Sequence, residues 1–394
     1  MKKYITLLFL IGSTTLSAIG QTNIESVLQQ VESNNIQLKA NSQLLKADKW
    51  EAKSTNNLEN PNVSYSKVWD SKDHKETDIE MSVTQAFDFP STYFSRRKAN
   101  NARLKGMEAY YNSQRQSILL VAKELCLDII KLNQEKQILQ ERMQYAQQLL
   151  NAYNTMIRSG NATKMDFNKI KLDVLNQRTE FTMVSNELKK KEAELTVLNG
   201  NIEIELTTLN NYGDKMVLPN YGEVINEITE LNPDIQQVKY EYNSALKQVA
   251  VHKAGWLPGF DLGYKRTSGP GRHSNGLVVG VSVPLFNNRG KVTMAKATAI
   301  SKLYEQDIVK NQVLSDSYQA YQEAETLASQ IADYEGLIDI EESLRILKLA
   351  LEGGELSVTE YFVEIGIMYQ SAQNYIELTS LYHKQIAKLF KHRL

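Results

Sequence analysis

The sequence predicts a mainly α fold with a small β part, in which a unit of one β-hairpin and one long antiparallel coiled-coil helical hairpin is used twice. Three observations predict it. Two stretches alternate apolar and polar residues with period two, long segments after them repeat apolar residues at steps of three and four, and landmarks of the first half recur in the second. Asn34-Asn35 corresponds to Leu231-Asn232, Asn60-Pro61 to Leu257-Pro258, and SVTQAFDF (82–89) to GVSVPLFN (280–287). These pairs lie roughly 195–200 residues apart, a fixed offset that marks internal duplication.

Met1-Lys2-Lys3, the apolar run Tyr4 to Ile11 and the small residues Ala18-Ile19-Gly20 have the layout of a secretory signal peptide over 1–20. That run is too short to span a bilayer, and no later stretch approaches the roughly 18 consecutive apolar residues of a membrane helix. The first repeat (21–198) opens with helical sequence from Asn23 to Asn57. A hairpin over 62–89 follows, as the strand NVSYSKVW (62–69), a polar loop and the strand DIEMSVTQAFDF (78–89). A helical hairpin over 91–198 comes next. Ile118, Ala122, Leu125, Ile129, Leu132, Leu139, Ala146 and Leu150 form its outgoing seam, broken only by Lys136, and such a seam is a coiled-coil signature. Ser159-Gly160-Asn161 supplies the turn, and Ile170, Val174, Gln177, Leu188 and Leu195 line the return helix.

A connecting segment (199–221) carries the breaks Asn199-Gly200-Asn201, Asn211-Tyr212-Gly213 and Pro219, with a weak strand signal at Ile202-Glu203-Ile204. The second repeat (222–394) has its hairpin at 257–286, where Phe260, Leu262 and Tyr264 alternate with Asp261, Gly263 and Lys265. Ser268-Gly269-Pro270-Gly271 is turn chemistry. Its helical hairpin (291–394) has a seam through Val313, Ala324, Leu327, Ile331 and Tyr334. After a phase slip the seam runs on from Leu337 to Leu351, and Val358, Phe362, Ile365 and Tyr369 lead back past Gly353-Gly354.

The chemistry of enzymes is missing. His74, His252, His273, His383 and His392 have no ligand spacing, and Cys126 is the single cysteine, which excludes an internal disulfide. No cofactor or metal site is predicted, and a net charge of −1 gives no reason to expect nucleic acid.

Four strands cannot close a transmembrane barrel, since the smallest known use about eight. Strands that enter a membrane must therefore be pooled between chains, two giving eight strands and three giving twelve with room for a lumen. Ile79, Met81, Val83, Val279, Val281 and Val283 would then face outer-membrane lipid, while Glu80, Ser82, Thr84, Asp261 and Lys265 would line water. An alternative reading is a soluble periplasmic coiled-coil adaptor or scaffold, but it needs a second apolar layer over the hairpins that the sequence does not offer.

The duplicated order of helix, Pro-led strand pair, long helix, Gly tip and return helix resembles the TolC-type outer-membrane efflux family. The phrases LNPDIQQV (231–238), WLPGFDLGY (256–264), VGVSVPLFNNRGK (279–291) and LEGGELSVTEYF (351–362) carry the resemblance, which covers essentially all of the chain after the signal peptide. It implies a homotrimer with a twelve-stranded outer-membrane barrel and an α-helical periplasmic tunnel. It further implies that the duct docks at its tips to a periplasmic membrane-fusion adaptor and an inner-membrane efflux pump. The short C-terminus is similar to compact members paired with cation pumps, which implies a cation or heavy-metal cargo. Arg158, Ser159, Gly160, Asn161 and Thr163, with Gly353, Gly354, Glu355, Leu356 and Ser357, are the candidate adaptor contacts. The family often carries two acidic residues three apart just beyond the second tip, forming rings where the tunnel narrows. Glu360 matches the first position, Val363 occupies the second and Glu364 is displaced by one. The other reading of Glu360 and Glu364 is two solvated carboxylates near a helix N-terminus, where negative charge suits the dipole.

Overall fold

The computed structural model describes residues 23–69, 76–160, 162–206, 208–213, 217–335 and 340–394. The signal-peptide reading, His74, Asn161 and Leu337 lie outside these residues. In chain order the elements are α1 (Ile24–Asn34), α2 (Ile36–Ser54), β1 (Asn62–Trp69), β2 (Glu76–Phe87), α3 (Pro90–Arg158) and α4 (Lys164–Leu198). The second half follows with α5 (Tyr221–Leu231), α6 (Pro233–Ala254), β3 (Gly259–Gly269), β4 (Arg272–Ser282), α7 (Lys291–Glu335), α8 (Ile340–Glu352) and α9 (Val358–Leu389).

Some boundaries differ from the sequence reading. The helix expected over 23–57 is two helices, because Asn35 takes ψ 124°, leaves the helical path and caps α2 by accepting from the Leu38 N–H at 2.9 Å. β2 begins two residues earlier than expected and stops at Phe87. Residues 202–204 are not a strand. Only Ile204 of the three packs against the apolar core. After the expected phase slip the second long helix is resolved as α7 and α8.

α3 has 69 residues, about 100 Å at 1.5 Å per residue. Pro90 starts it, at a position whose N–H has no helical partner in any case. No element could cover a helix of this length, so α3 changes neighbours along its course. Near the sheet it lies beside α2, where Arg103 meets Glu51 at 3.1 Å. It also lies beside α6, whose Tyr240 Cβ would stand 3.6 Å from a Cβ on Gly106. α6 in turn packs on α7, joined by Lys302 and Glu241 at 2.8 Å. Farther out α3 packs on α4, and α7 on α9.

The buried side chains follow the seams. Ile118, Ala122, Leu125, Ile129 and Leu132 of α3 meet Leu188 and Leu195 of α4 and Val27 and Val31 of α1 in a central cluster. Each large apolar side chain so buried contributes about 1.5–3 kcal/mol. A second cluster joins α5, α7 and the end of α9 through Ile228, Ala324, Ile331 and Ile386. Cys126 is fully buried in the first cluster, and desolvation pushes its thiol up to about 12, so it stays protonated packing material.

At the middle of the molecule each repeat closes on itself, and the last residues of the chain reach across to the first repeat. Asn34 donates to Asn199 at 3.1 Å and Asn35 to the Leu198 carbonyl at 2.8 Å. The chain's last residues close on the same level. Arg393 donates to both carboxylate oxygens of Glu227, at 2.7 and 2.6 Å, and His392 Nε2 lies 2.9 Å away. Arg115, itself bound to Glu32, donates to the Leu394 carbonyl at 2.7 Å.

The Arg393 hydrogen bonds, with that from His392, hold the Glu227 carboxyl down at about 2. Its unfolded value is higher, so this ion pair's contribution is complete above the ordinary carboxylate value of 4.5 and is lost as pH falls through about 2. Melting temperatures measured across that window should fall for the native protein, and Glu227→Gln should flatten part of the fall. An acid profile unaltered by the substitution would remove this clasp from the account.

Candidate functional site

The first functional region is the sheet. Its strands run β1-β2-β3-β4, all antiparallel, so the central β2–β3 pairing joins the two repeats into one meander. Pro270-Gly271 makes the β3–β4 turn, with Gly271 at φ +73°, a conformation that glycine reaches without strain. Register sets the faces. Val63, Val83, Tyr264 and Leu277 stand in one row across all four strands. Gln85, Leu262 and Val279 form the next row toward the helices, and Phe87, Phe260 and Val281 the one after. These rows are on one face because side chains alternate along each strand.

This apolar face is bare. Val279 is 71% exposed and Val281 60%, and among the described residues the strands pair with one another while no helix forms a layer over them. Ile79, Met81 and Val83 belong to the same face, with Ile79 half-buried. Val283 lies one residue past the end of β4 and is also exposed. The opposite face carries Glu80, Ser82, Thr84, Asp261 and Lys265. There Lys265 meets Glu80 at 2.9 Å, Arg272 meets Asp78 at 3.1 Å and the Ser64 and Ser82 hydroxyls lie 2.7 Å apart. Gly263 belongs to this face and needs to be glycine, since a Cβ would stand 2.5 Å from the Val83 carbonyl. The sequence reading found these polar residues but not their pairing, because pairing follows from register between the repeats.

The second region is the far end of the helices. α3 turns into α4 through Ser159 and Gly160, and α8 into α9 through Gly353 and Gly354. Gly160 and Gly354 have φ of +79° and +77°, a conformation other residues reach only with strain. Thr163 caps α4 by accepting from the Asp166 N–H at 3.1 Å. The structure brings the two turns side by side. Leu149 and Ile170 of the first hairpin pack with Leu351, Val358, Tyr361 and Ile365 of the second, and Lys169 donates to Thr359 at 2.7 Å. Arg158, Ser159, Gly160, Thr163, Gly353, Gly354, Glu355 and Ser357 are exposed and Leu356 is half-buried.

Glu360 and Glu364 project from the first turns of α9 and are both exposed. Ser357 and Glu360 form a reciprocal cap. The Glu360 N–H donates to the Ser357 hydroxyl at 3.2 Å, and the Ser357 N–H to the Glu360 carboxylate at 2.9 Å. That backbone hydrogen bond, with the one from the hydroxyl, lowers the Glu360 carboxyl below its usual range, so it is anionic at neutral pH. The sequence contains the capping pattern, and its use was the missed signal in this segment.

Among the described residues no group of three or more His, Cys, Asp and Glu side chains could hold a metal ion, and no helix is long and apolar enough to cross a membrane. A bare amphipathic sheet continued by long helices defines a class, that of channel proteins whose membrane part is β and whose remainder is a helical duct. The chain belongs to the outer membrane efflux protein family, which it matches over residues 27–201 and again over 224–386. The double match coincides with the repeat, and the family is one of passive channels rather than enzymes. No curated protein sequence is significantly similar to this one.

Solved structures share its fold at low identity. The CusC channel is similar with a TM-score of 0.76 and 13% identity, over 95% of either chain. VceC of Vibrio cholerae has a TM-score of 0.72 at 14% identity, over 94% of this chain and 95% of its own. The open-state MtrE outer membrane channel of Neisseria gonorrhoeae has a TM-score of 0.76 at 13% identity, over 94% and 88%.

Proposed function

We propose that this chain is the outer-membrane exit duct of a tripartite efflux system, working as a homotrimer that receives its cargo from a periplasmic membrane-fusion adaptor and an inner-membrane pump. One observation carries the reading. Among the described residues nothing covers the apolar face of the sheet, and the outer edges of β1 and β4 pair with no further strand. In lipid every backbone polar group needs an internal partner, so such a sheet is stable only in a closed barrel. Three copies close twelve strands around a lumen, with the helices continuing as a tunnel into the periplasm. A soluble scaffold would leave the same face in water, which is the aggregation hazard of an open edge.

The adjoining tips are the adaptor contacts in this reading, because they are exposed loops held by a rigid packed end. Glu360 and Glu364, repeated around a three-fold axis, form the negative mouth of the tunnel, and acidic rings favour cations. A cationic cargo suits that mouth.

Three outcomes test the reading. Val281→Arg puts a charge on the apolar face and should cost about 2–4 kcal/mol if the residue lies near the bilayer midplane, whereas Arg at Ser282 faces water and should be tolerated. Equal recovery of both variants as heat-modifiable oligomers from outer membranes would defeat the assignment of faces. Cysteines at Ser159 and Ser357 should crosslink to a coexpressed adaptor, and a failure at both positions would count against docking at the tips. In planar bilayers the channel should prefer cations and be blocked by multivalent cations from the tip side. Glu360→Gln keeps a capping acceptor and removes only the charge, so it should weaken both effects, with Glu364→Gln doing less. Unchanged selectivity would return Glu360 to a purely capping role.

A further inference from the structure

The apolar face of the sheet is not apolar to its end. One row beyond Val63, Val83, Tyr264 and Leu277, on the side of the hairpin turns, the register places Arg266 between Met81 and Asn275. One row further it places Lys67 across from Ile79 and His273 across from Ser268. Arg266, Lys67 and His273 are all exposed. The acidic residues Asp78, Glu80 and Asp261 fall on the opposite face by the same alternation. His273 Nδ1 lies 3.0 Å from the Ser268 hydroxyl. On the polar face Lys265 and Arg272 each have a carboxylate at about hydrogen-bonding distance, 2.9 and 3.1 Å. Among the described residues Arg266 has neither a hydrogen-bond nor an ion-pair partner. Lys67 leans toward the Trp69 ring, its Nζ 5.9 Å from the centroid.

A cation on a lipid-facing position is tolerated only near the edge of the hydrocarbon layer, so this row marks where the bilayer ends. The turns lie at the end of the strands away from the helices, which in the proposed assembly is the outer leaflet. An arginine there with no protein carboxylate suits a phosphate, whose oxygens match the guanidinium fork. We infer that Arg266 and Lys67 form a binding site on the outside of the sheet for the phosphate groups of an anionic lipid in the outer leaflet. The two lie one row apart on strands separated by β2, about 12 Å apart at the usual strand spacing and rise, so one lipid bearing two phosphates can engage both. The occupant is a headgroup rather than free phosphate, because the apolar rows directly below provide for its acyl chains.

The inference rests on the sheet meeting lipid, as proposed above, and the test separates the two. Full-length protein recovered as oligomers from outer-membrane fractions is immobilised in detergent and offered bis-phosphorylated lipid A, the same glycolipid with both phosphates removed, or inorganic phosphate. Failure to recover the native protein from that fraction would speak against the channel reading itself. The native protein should retain the phosphorylated lipid at least about tenfold better than the dephosphorylated form, given two cations near an anionic surface. The double variant Arg266→Gln/Lys67→Gln should lose that preference, and Lys310→Gln, which removes one charge on exposed α7, should keep it. Arg266→Lys, which keeps the charge without the fork, should fall between. Equal retention of the two glycolipids by the native protein would overturn the inference by reducing both cations to snorkelling side chains. So would full preference in the double variant, or inorganic phosphate competing at the same concentration as the lipid.

Discussion

Everything in this structure is arranged around a sheet that its own chain does not finish. Hydrogen bonding across β1 to β4 satisfies the inner strands, but among the described residues two edges stay open and one face stays apolar and uncovered. Neither problem is solved by folding alone. A helix laid over the face would bury it, yet among the described residues no helix packs as a layer on the strands. In the proposed assembly, the free energy that a globular protein gains from covering its sheet is left to lipid and to other copies of the chain.

The helical part answers a different constraint. A helix of 69 residues cannot be stabilised by one partner of ordinary length, and most helical stability comes from packing rather than propensity. The chain meets this by exchanging partners along α3: α2 and α6 near the sheet, α1 and α4 at the middle, α4 and α9 toward the tip. The exchange points are where polar side chains hold backbone ends, as Asn35 and Asn199 do with Leu198 and Ile202. The closing contacts of Glu227, Arg393 and His392 sit at the same level. The two repeats are thus locked at three heights, by β2–β3 pairing, by Arg115 and Gln116 on the carbonyls of Leu394 and His392, and by the tip cluster.

The two ends of the duct carry chemistry suited to opposite surroundings. At the sheet, Lys265 and Arg272 of the polar face each meet a carboxylate, while Arg266 of the other face meets none among the described residues. At the tips, exposed turns rest on a buried base of Tyr145, Tyr361 and Tyr369, with Tyr145 and Tyr361 rings 5.9 Å apart and Arg142 4.5 Å over Tyr369. That base limits how the turns can move, so Glu360 and Glu364 are presented from a fixed helix start rather than from a loose loop.

Most of the architecture was legible in the sequence, because it is periodic. Alternation at Ile79-Met81-Val83 and at Val279-Val281 identified the strands and their apolar face, and steps of three and four from Ile118 to Leu132 identified the buried seam of α3. Gly160 and Gly354 marked turns because positive φ leaves a compositional trace. These are local properties, decided by the geometry of one strand or one helix. What only the tertiary structure decided is which segments meet. Tyr240 against Gly106, Lys169 at Thr359, Lys265 with Glu80 and Arg266 beside Met81 all depend on the register between two repeats far apart in the chain. A period describes how a segment presents its own side chains; it holds no information about which neighbour, at which offset, lies opposite them.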